Sequence, residues 1–268
     1  MIKPLLFKAF SAFAGKMRYQ RLFELLLRLS LKGMNIGSVA GPAKSGERAA
    51  LKYIRNQLTD QGKLVLFDVG ANIGDYTLLL KEIFDKNAMV HSFEPAKKTF
   101  DTLKSNLSGL RDISLYHFGL GDKAARLTLY GTPSASSMAS VYPRRLEHHH
   151  ITMSETEDIE IRTVDDFCQE HGINHIHLLK LDVEGHEINV LKGASRMIKS
   201  GNVDFIQFEF GGTDIDSRVF FQDFYYLLKD QYNLYRVVKD GLFQLGAYSE
   251  IYEAFMATIY VAERKGLG

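Results

Sequence analysis

Residues 65–77 read VLFDVGANIGDYT, an apolar run that ends in Asp68, turns through Gly70 and Gly74, and enters a helix at about Asp75. A strand passing through glycines straight into a helix opens a βαβ unit, and a strand this apolar belongs to a parallel sheet covered on both faces. Glycine is needed where a backbone turns sharply or must approach a ligand with no Cβ in the way. A nicotinamide dinucleotide calls for G-x-G-x-x-G and a P-loop nucleotide for a Gly-Lys-Ser/Thr ending, and neither is present. An acid followed by G-x-x-x-G suits a cofactor with an amino-acid moiety and an adenosine but no phosphates.

The rhythm that follows supports a doubly wound, Rossmann-like α/β sheet. Strands are expected at 64–69, 89–93, 113–118, 177–183 and 205–210, with helices at 75–84, 97–107 and 187–199. Late strands at 234–238 and 255–262, with a helix at 219–230, bring the sheet to about seven strands, mostly parallel. Residues 126–164 break the rhythm. Alternating 127–130 and 159–163 read as a hairpin around a polar loop that carries Ser134, Ser136, Ser137 and the run His148, His149, His150. An insertion after the third strand lies on the side where open α/β sheets bind ligands. Upstream, a helix begins near Ser45, which can cap it, and buries the stripe Leu51, Ile54 and Leu58.

A second acid, Glu94, stands at the tip of the next strand, where Rossmann-type proteins hold ribose hydroxyls. A third segment, LLKLDVEGHEINVLKGA at 178–194, completes an ordered set with DVGANIGDYT, SFEP, TVDDF at 163–167 and FEF at 208–210. In motif order and spacing the stretch from about 45 to 210 closely resembles the FkbM family of methyltransferases. That resemblance implies a class I methyltransferase fold, S-adenosylmethionine as methyl donor, and O-methylation of a glycan, polysaccharide or polyketide-type acceptor. Carried over onto matching positions, it implies that Asp68, Gly70, Ala71, Asn72 and Gly74 line the methionine and ribose side and that Glu94 binds the ribose. Gly119 and Asp122 of GLGD then lie beside adenine, and Asp182 faces the sulfonium. A sugar hydroxyl is a poor nucleophile and needs a base in contact. Asp182, Glu184 and His186 are the candidates. Lys180, two residues before the strand tip, requires a carboxylate partner such as Asp68, Asp182 or Glu209 if that strand is central. No metal site is expected, since adjacent histidines do not converge easily on one ion; His148–His150 read as a solvated loop.

The chain of 268 residues accommodates one large domain with additions, and its 46% hydrophobic and 24% charged residues exclude a disordered or fibrous protein. The net charge of +1 hides an asymmetry. Lys3, Lys8, Lys16, Arg18, Arg21, Arg28 and Lys32 face the single acid Glu24 within residues 1–32, leaving the remainder acidic and without the basic stripe of a nucleic-acid enzyme. Leu6, Phe10, Phe13 and Met17 share one helical face, as do Leu22, Leu25, Leu26 and Leu29. Two destinations suit such helices: a cap packed on the domain or on a second subunit, or contact with an anionic membrane surface. The Gly-rich stretch 33–42 reads as a linker, dividing a basic amphipathic extension (1–42) from the catalytic domain (43–268). The single cysteine, Cys168, permits no internal disulfide, so the expected location is cytoplasmic, peripheral to the inner face of a membrane if the extension binds lipid. The rival readings are a non-catalytic S-adenosylmethionine-binding protein and a membrane-peripheral scaffold.

Overall fold

The computed structural model describes residues 10–11, 13–37, 45–59, 61–132 and 135–267. Leu6, positions 38–42 of the expected linker, and Ser134 lie outside the described residues. In chain order the elements are α1 (Gln20–Gly33), α2 (Glu47–Gln57), β1 (Leu64–Val69), α3 (Asp75–Phe84), β2 (Ala88–Phe93), α4 (Lys97–Asn106), β3 (Ile113–Tyr116), β4 (Gly119–Leu120), β5 (Ala125–Thr132), β6 (Ala135–Ser140) and β7 (Glu155–Arg162). There follow α5 (Val164–His171), β8 (Ile176–Leu181), α6 (Glu187–Gly193), α7 (Ser195–Lys199), β9 (Val203–Phe210), α8 (Gly212–Ser217), α9 (Phe221–Leu228), β10 (Tyr232–Val238), β11 (Gly241–Gln244) and β12 (Thr258–Arg264).

Among the described residues the main sheet runs β11-β10-β12-β9-β8-β1-β2-β3. Its five central and early strands pair in parallel, whereas β12 is antiparallel to both β9 and β10. This reversed strand slotted between the fifth and sixth parallel strands gives the class I methyltransferase sheet. The seven expected strands are all present, and the short β11 adds an eighth by folding back as a hairpin on the edge. Leu66, Phe67, Leu178, Leu179, Phe205 and Ile206 on β1, β8 and β9 are completely buried, which explains why those strands lack polar alternation. β1 has β2 on one side and β8 on the other, so the chain reverses its winding there and leaves a crevice beyond the carboxyl ends of β1 and β8.

The insertion is larger than a hairpin. β5 and β7 pair antiparallel with Leu127 opposite Ile159, β6 adds to β5, and β4 adds to β7, giving a second four-stranded sheet. Leu129, Ile159 and Ile161 form its apolar side, against Leu127, Ala96, Ala139 and Val141. The expected helix at 187–199 is two helices that meet at Ala194. There Gly193 lies so close to the Gly121 carbonyl that a Cβ would stand 1.9 Å from its oxygen. The N-cap of α2 is Gly46 in the left-handed region (φ +96°), and Ser45 one residue earlier accepts the Glu47 N–H.

The expectation that the amino-terminal helix caps the catalytic domain is not met. α1 buries none of its residues; Leu22, Leu25 and Leu29 are 51%, 53% and 56% exposed. Only its carboxyl end is fastened, where Asn35 Nδ2 donates to the carbonyls of Ser45 and Val237 and Gly37 N–H donates to Ala257. Among the described residues no helix is long and apolar enough to cross a membrane.

Candidate active site

The crevice holds two adjoining lobes that share Gly70, Asn72 and Asp182. The first, an open cleft of about 780 Å³, runs from Glu94 and Pro95 past Gly119 and Leu120 to Val183, Glu184 and His186, with Leu129, Val141, Ile159 and Ile161 of the insertion as its roof. The second is polar and carries Glu47, Asp75, Tyr76, Lys180, Gln207 and Glu209.

The floor between them is fixed by backbone. Asp182 N–H donates to Val69, while the Gly70 and Ala71 N–H groups both donate to Phe93, tying the tips of β1, β2 and β8 together. Gly70 has φ +79°, and a Cβ on it would stand 1.8 Å from the Asp182 carbonyl oxygen. Its glycine is therefore required by the neighbouring strand tip. Gly74, expected beside the cofactor, faces Leu103 and Leu107 of α4 and is outside both lobes; its φ of +101° starts α3.

Lys180 and its acids organise the site from behind. Its ammonium, on a residue 4% exposed, donates to Asp68 Oδ1 at 2.9 Å and to the Gly70 carbonyl at 3.1 Å, and lies 3.6 Å from Asp182 Oδ2. The expected pairing is thus made with two of the three acids. Burial alone would lower the lysine pKa, but Asp68 and Asp182 outweigh it and raise it. Asp68 is fully buried and lines neither lobe; its second oxygen accepts from Thr77, which accepts from Ser92. Asp68 acts on the site through Lys180. The Asp182 side chain is 47% exposed and opens toward both lobes.

Glu94 reaches the first lobe with both oxygens held by backbone, Oε2 by Asn72 N–H at 3.0 Å and Oε1 by Ala96 N–H at 2.9 Å. Burial pushes it up to about 7 against those two bonds. Asp122 is exposed on a turn and does not line either lobe, because the chain leaves the cleft at Gly121.

The VEGHE turn is shaped by left-handed residues at Glu184 (φ +54°) and Gly185 (φ +99°), and the Glu187 carboxylate closes it by accepting from Val183 and Gly185 N–H. Burial raises Glu187 well above the carboxylate range, with Asp214 adding to the effect. Glu184 is pushed up to about 8 by burial and by Asp182, and accepts from Arg144 at 2.8 Å. Glu209 is raised well above its ordinary value by burial, then by Asp182 and Glu184.

His186 sits differently from a general base. Asn189 Nδ2 donates to the Tyr142 hydroxyl, which lies 3.0 Å from His186 Nδ1 and donates to it. Burial lowers the ring to about 4, so at neutral pH it is uncharged with its proton on Nε2. Nε2 is buried with no protein partner and abuts Gly121, where a Cβ would stand 2.9 Å away.

Three contributors were missed in the sequence. Glu47 enters the second lobe from α2, bonded to Ser45 and Gln207. Tyr142 and Arg144 follow β6, and with Ser140, whose hydroxyl donates to the Glu184 carbonyl, they fasten the insertion to the VEGHE turn. Roof and strand tip are one assembly. His148–His150 are exposed, as expected of a solvated loop. Among the described residues, the constellation with donor atoms close enough for a cation is His175, His177 and Asp204, at the opposite end of the strands. It is internally satisfied: His177 Nδ1 accepts from Val65 N–H, and Asp204 is bound by His175 and Arg264.

The sheet order, the crevice at its switch point and the acid-tipped second strand define a class I methyltransferase. The profile of the FkbM methyltransferase domain matches residues 68–237, and the chain belongs to that family, a class whose methyl donor is S-adenosylmethionine. Among named relatives, Methyltransferase 1 of Beauveria bassiana is 32% identical over 147 residues, covering 48% of this chain and 57% of the relative. The hexuronic acid methyltransferase AglP of Haloferax volcanii is 28% identical over 172 residues, covering 62% and 64%. The chain spans less than two thirds of the length of these curated relatives. A solved O-methyltransferase from Bacillus cereus, in complex with SAH, is 11% identical, covers 98% of this chain and 100% of its own, and has a TM-score of 0.43.

The residues fit the cofactor of this class. An apolar slot between Pro95, Leu120 and Ile161 suits a purine, and Glu94 lines the same lobe with hydrogen-bonding oxygens suited to ribose hydroxyls. The carboxylates of the second lobe suit an amine and a sulfonium.

Proposed function

We propose that this protein transfers a methyl group from S-adenosylmethionine to a hydroxyl of a sugar or glycan. The observation that carries the proposal is the pair of lobes meeting at Asp182: one fitted to an adenosine, the other lined by acceptors for a cation and for hydroxyl groups. When bound, S-adenosylmethionine supplies an electrophilic methyl on a sulfonium, whose charge disappears during transfer. The protein's part is alignment, exclusion of water and removal of one proton. Glu94 accepts from the ribose hydroxyls, and the roof of Leu129, Ile159 and Ile161 keeps the adenosine dry. Asp182 is the general base, since its carboxylate is open to both lobes and is held by Lys180 without being covered. The proton taken up by Asp182 leaves to solvent water at its exposed side. Glu184 is committed to Arg144 and holds the roof.

The carboxyl groups and Gln207 of the second lobe support a sugar acceptor, because they can hydrogen-bond several hydroxyls at once. The relative named for a hexuronic acid supports the sugar class. Incubation with methyl-labelled S-adenosylmethionine and a panel of nucleotide-linked and lipid-linked sugars, read by mass spectrometry, tests it. Label on a hydroxyl of a sugar is expected; label only on phenolic, carboxylate or nucleic-acid acceptors would contradict it.

A further inference from the structure

The uncovered face of α1 calls for an occupant. Leu22, Leu25, Leu26 and Leu29 lie on one side of this helix and are exposed, as are Phe10, Phe13 and Met17 just before it. Arg21, Arg28 and Lys32, spaced seven and four apart, flank the leucine side along one edge, beside Leu25, and Lys16 and Arg18 precede them. Phe13 packs edge-on against Tyr19 at 5.2 Å and Phe10 lies 6.2 Å from Phe23, so the segment consolidates itself rather than inserting into the domain. At its other end Asn35 and Gly37 pin the helix to β10 and to the strand approach at Ala257. This is a rigidly rooted helix whose large side chains meet water, with an exposed apolar area that a monomer in solution does not ordinarily keep.

We infer that α1 and the turn before it lie in the surface of an anionic lipid bilayer, apolar side down, with the basic residues at the level of the headgroups. Charge complementarity selects this occupant over a second copy of the chain. Two copies packed through the leucine face would bring together segments of the same strongly basic character, with Glu24 as the single acid in each. A bilayer rich in anionic headgroups takes up the leucines and the basic side chains together, and Arg and Lys stems long enough to reach outward allow both at once. The length of α1, 14 residues, suits a helix lying in the interface and is too short to span.

The test uses the full chain and four vesicle sedimentations: wild type, Arg21→Glu with Arg28→Glu, and Leu25→Ser with Leu29→Ser on vesicles of phosphatidylcholine and phosphatidylserine, and wild type on phosphatidylcholine alone. Wild type should pellet with the anionic vesicles and be released by salt. The charge reversal should weaken partitioning by at least about 25-fold, from about fivefold per basic charge lost at an anionic surface, and the serine pair should abolish it. Because these side chains are exposed and line neither lobe, all variants should bind S-adenosylhomocysteine as wild type does, which confirms folding. Equal partitioning onto neutral and anionic vesicles, no partitioning, or a light-scattering mass showing a dimer that depends on Leu25 and Leu29 would each overturn the inference.

Discussion

Replacing Lys180 by methionine removes the ammonium while keeping most of the buried stem. At 2.9 Å and an effective dielectric of about 20, the attraction between Lys180 and Asp68 amounts to about 6 kcal/mol, a large part of it offset by desolvation of both groups. The attraction to Asp182 at 3.6 Å contributes less, because that carboxylate is half in water. What decides the outcome is the partner left behind: Asp68 has no exposure and would retain one hydrogen bond, from Thr77. Stranding one member of such a buried pair costs about 3 to 5 kcal/mol. Urea denaturation of Lys180→Met should show a loss of that size, and the variant that also carries Asp68→Asn should recover part of it, a double-mutant cycle that isolates the pair. Calorimetry should also show weaker binding of S-adenosylhomocysteine, since Lys180 holds the Gly70 carbonyl and Asp182 at the junction of the lobes. Asp182→Asn, by contrast, should chiefly lower turnover. Stability of Lys180→Met within about 1 kcal/mol of wild type, with unchanged cofactor affinity, would refute the reasoning.

Glu94→Ala should weaken S-adenosylhomocysteine binding by about 1 to 3 kcal/mol, the range for a lost hydrogen bond to a charged group; unchanged affinity in calorimetry removes Glu94 from the site. His186→Leu should leave the pH–rate profile in place; a lost acidic limb would instead make His186 the base. Burial raises Glu94 and Asp214 to about 7 and Glu184 to about 8, so the folded state keeps protons that the unfolded chain releases near the ordinary carboxylate pKa. Stability is then greatest below the unfolded values and falls as pH rises toward about 8. Scanning calorimetry of the free protein between those limits should show a falling Tm, flattened at its upper end in Glu184→Gln, and a rising Tm contradicts the assignment.

The strands of the main sheet were legible because each is a short apolar run between a turn and a helix, and Gly70, Asn72, Glu94 and Asp182 were legible because they sit at strand tips. Gly74 misled: a glycine in a loop says that a Cβ is unwelcome, but here the obstruction is Leu103 and Leu107 rather than a ligand. Asp122 stands on an exposed turn outside both lobes, and a turn aspartate reads the same in sequence whether it faces a cleft or water. Tyr142 and Arg144 stand in a loop with no periodicity, more than 40 residues upstream in sequence of the turn they fasten. The alternation that carries β5 and β7 does not extend to β6, which left the roof looking like a simple hairpin. Lys180 was the informative anomaly: a cation on a strand with apolar neighbours had to be paired, and its partners are Asp68 and Asp182.

The central claim is that the two lobes form one S-adenosylmethionine site joined at Gly70 and Asp182, and a structure of the protein crystallised with S-adenosylhomocysteine tests it most directly. The account predicts adenine under Ile161, ribose hydroxyls on Glu94, and the amino-acid end in the lobe of Lys180 and Glu209. Adenosine bound away from Glu94, or a ligand confined to one lobe with Asp182 out of contact, would contradict it.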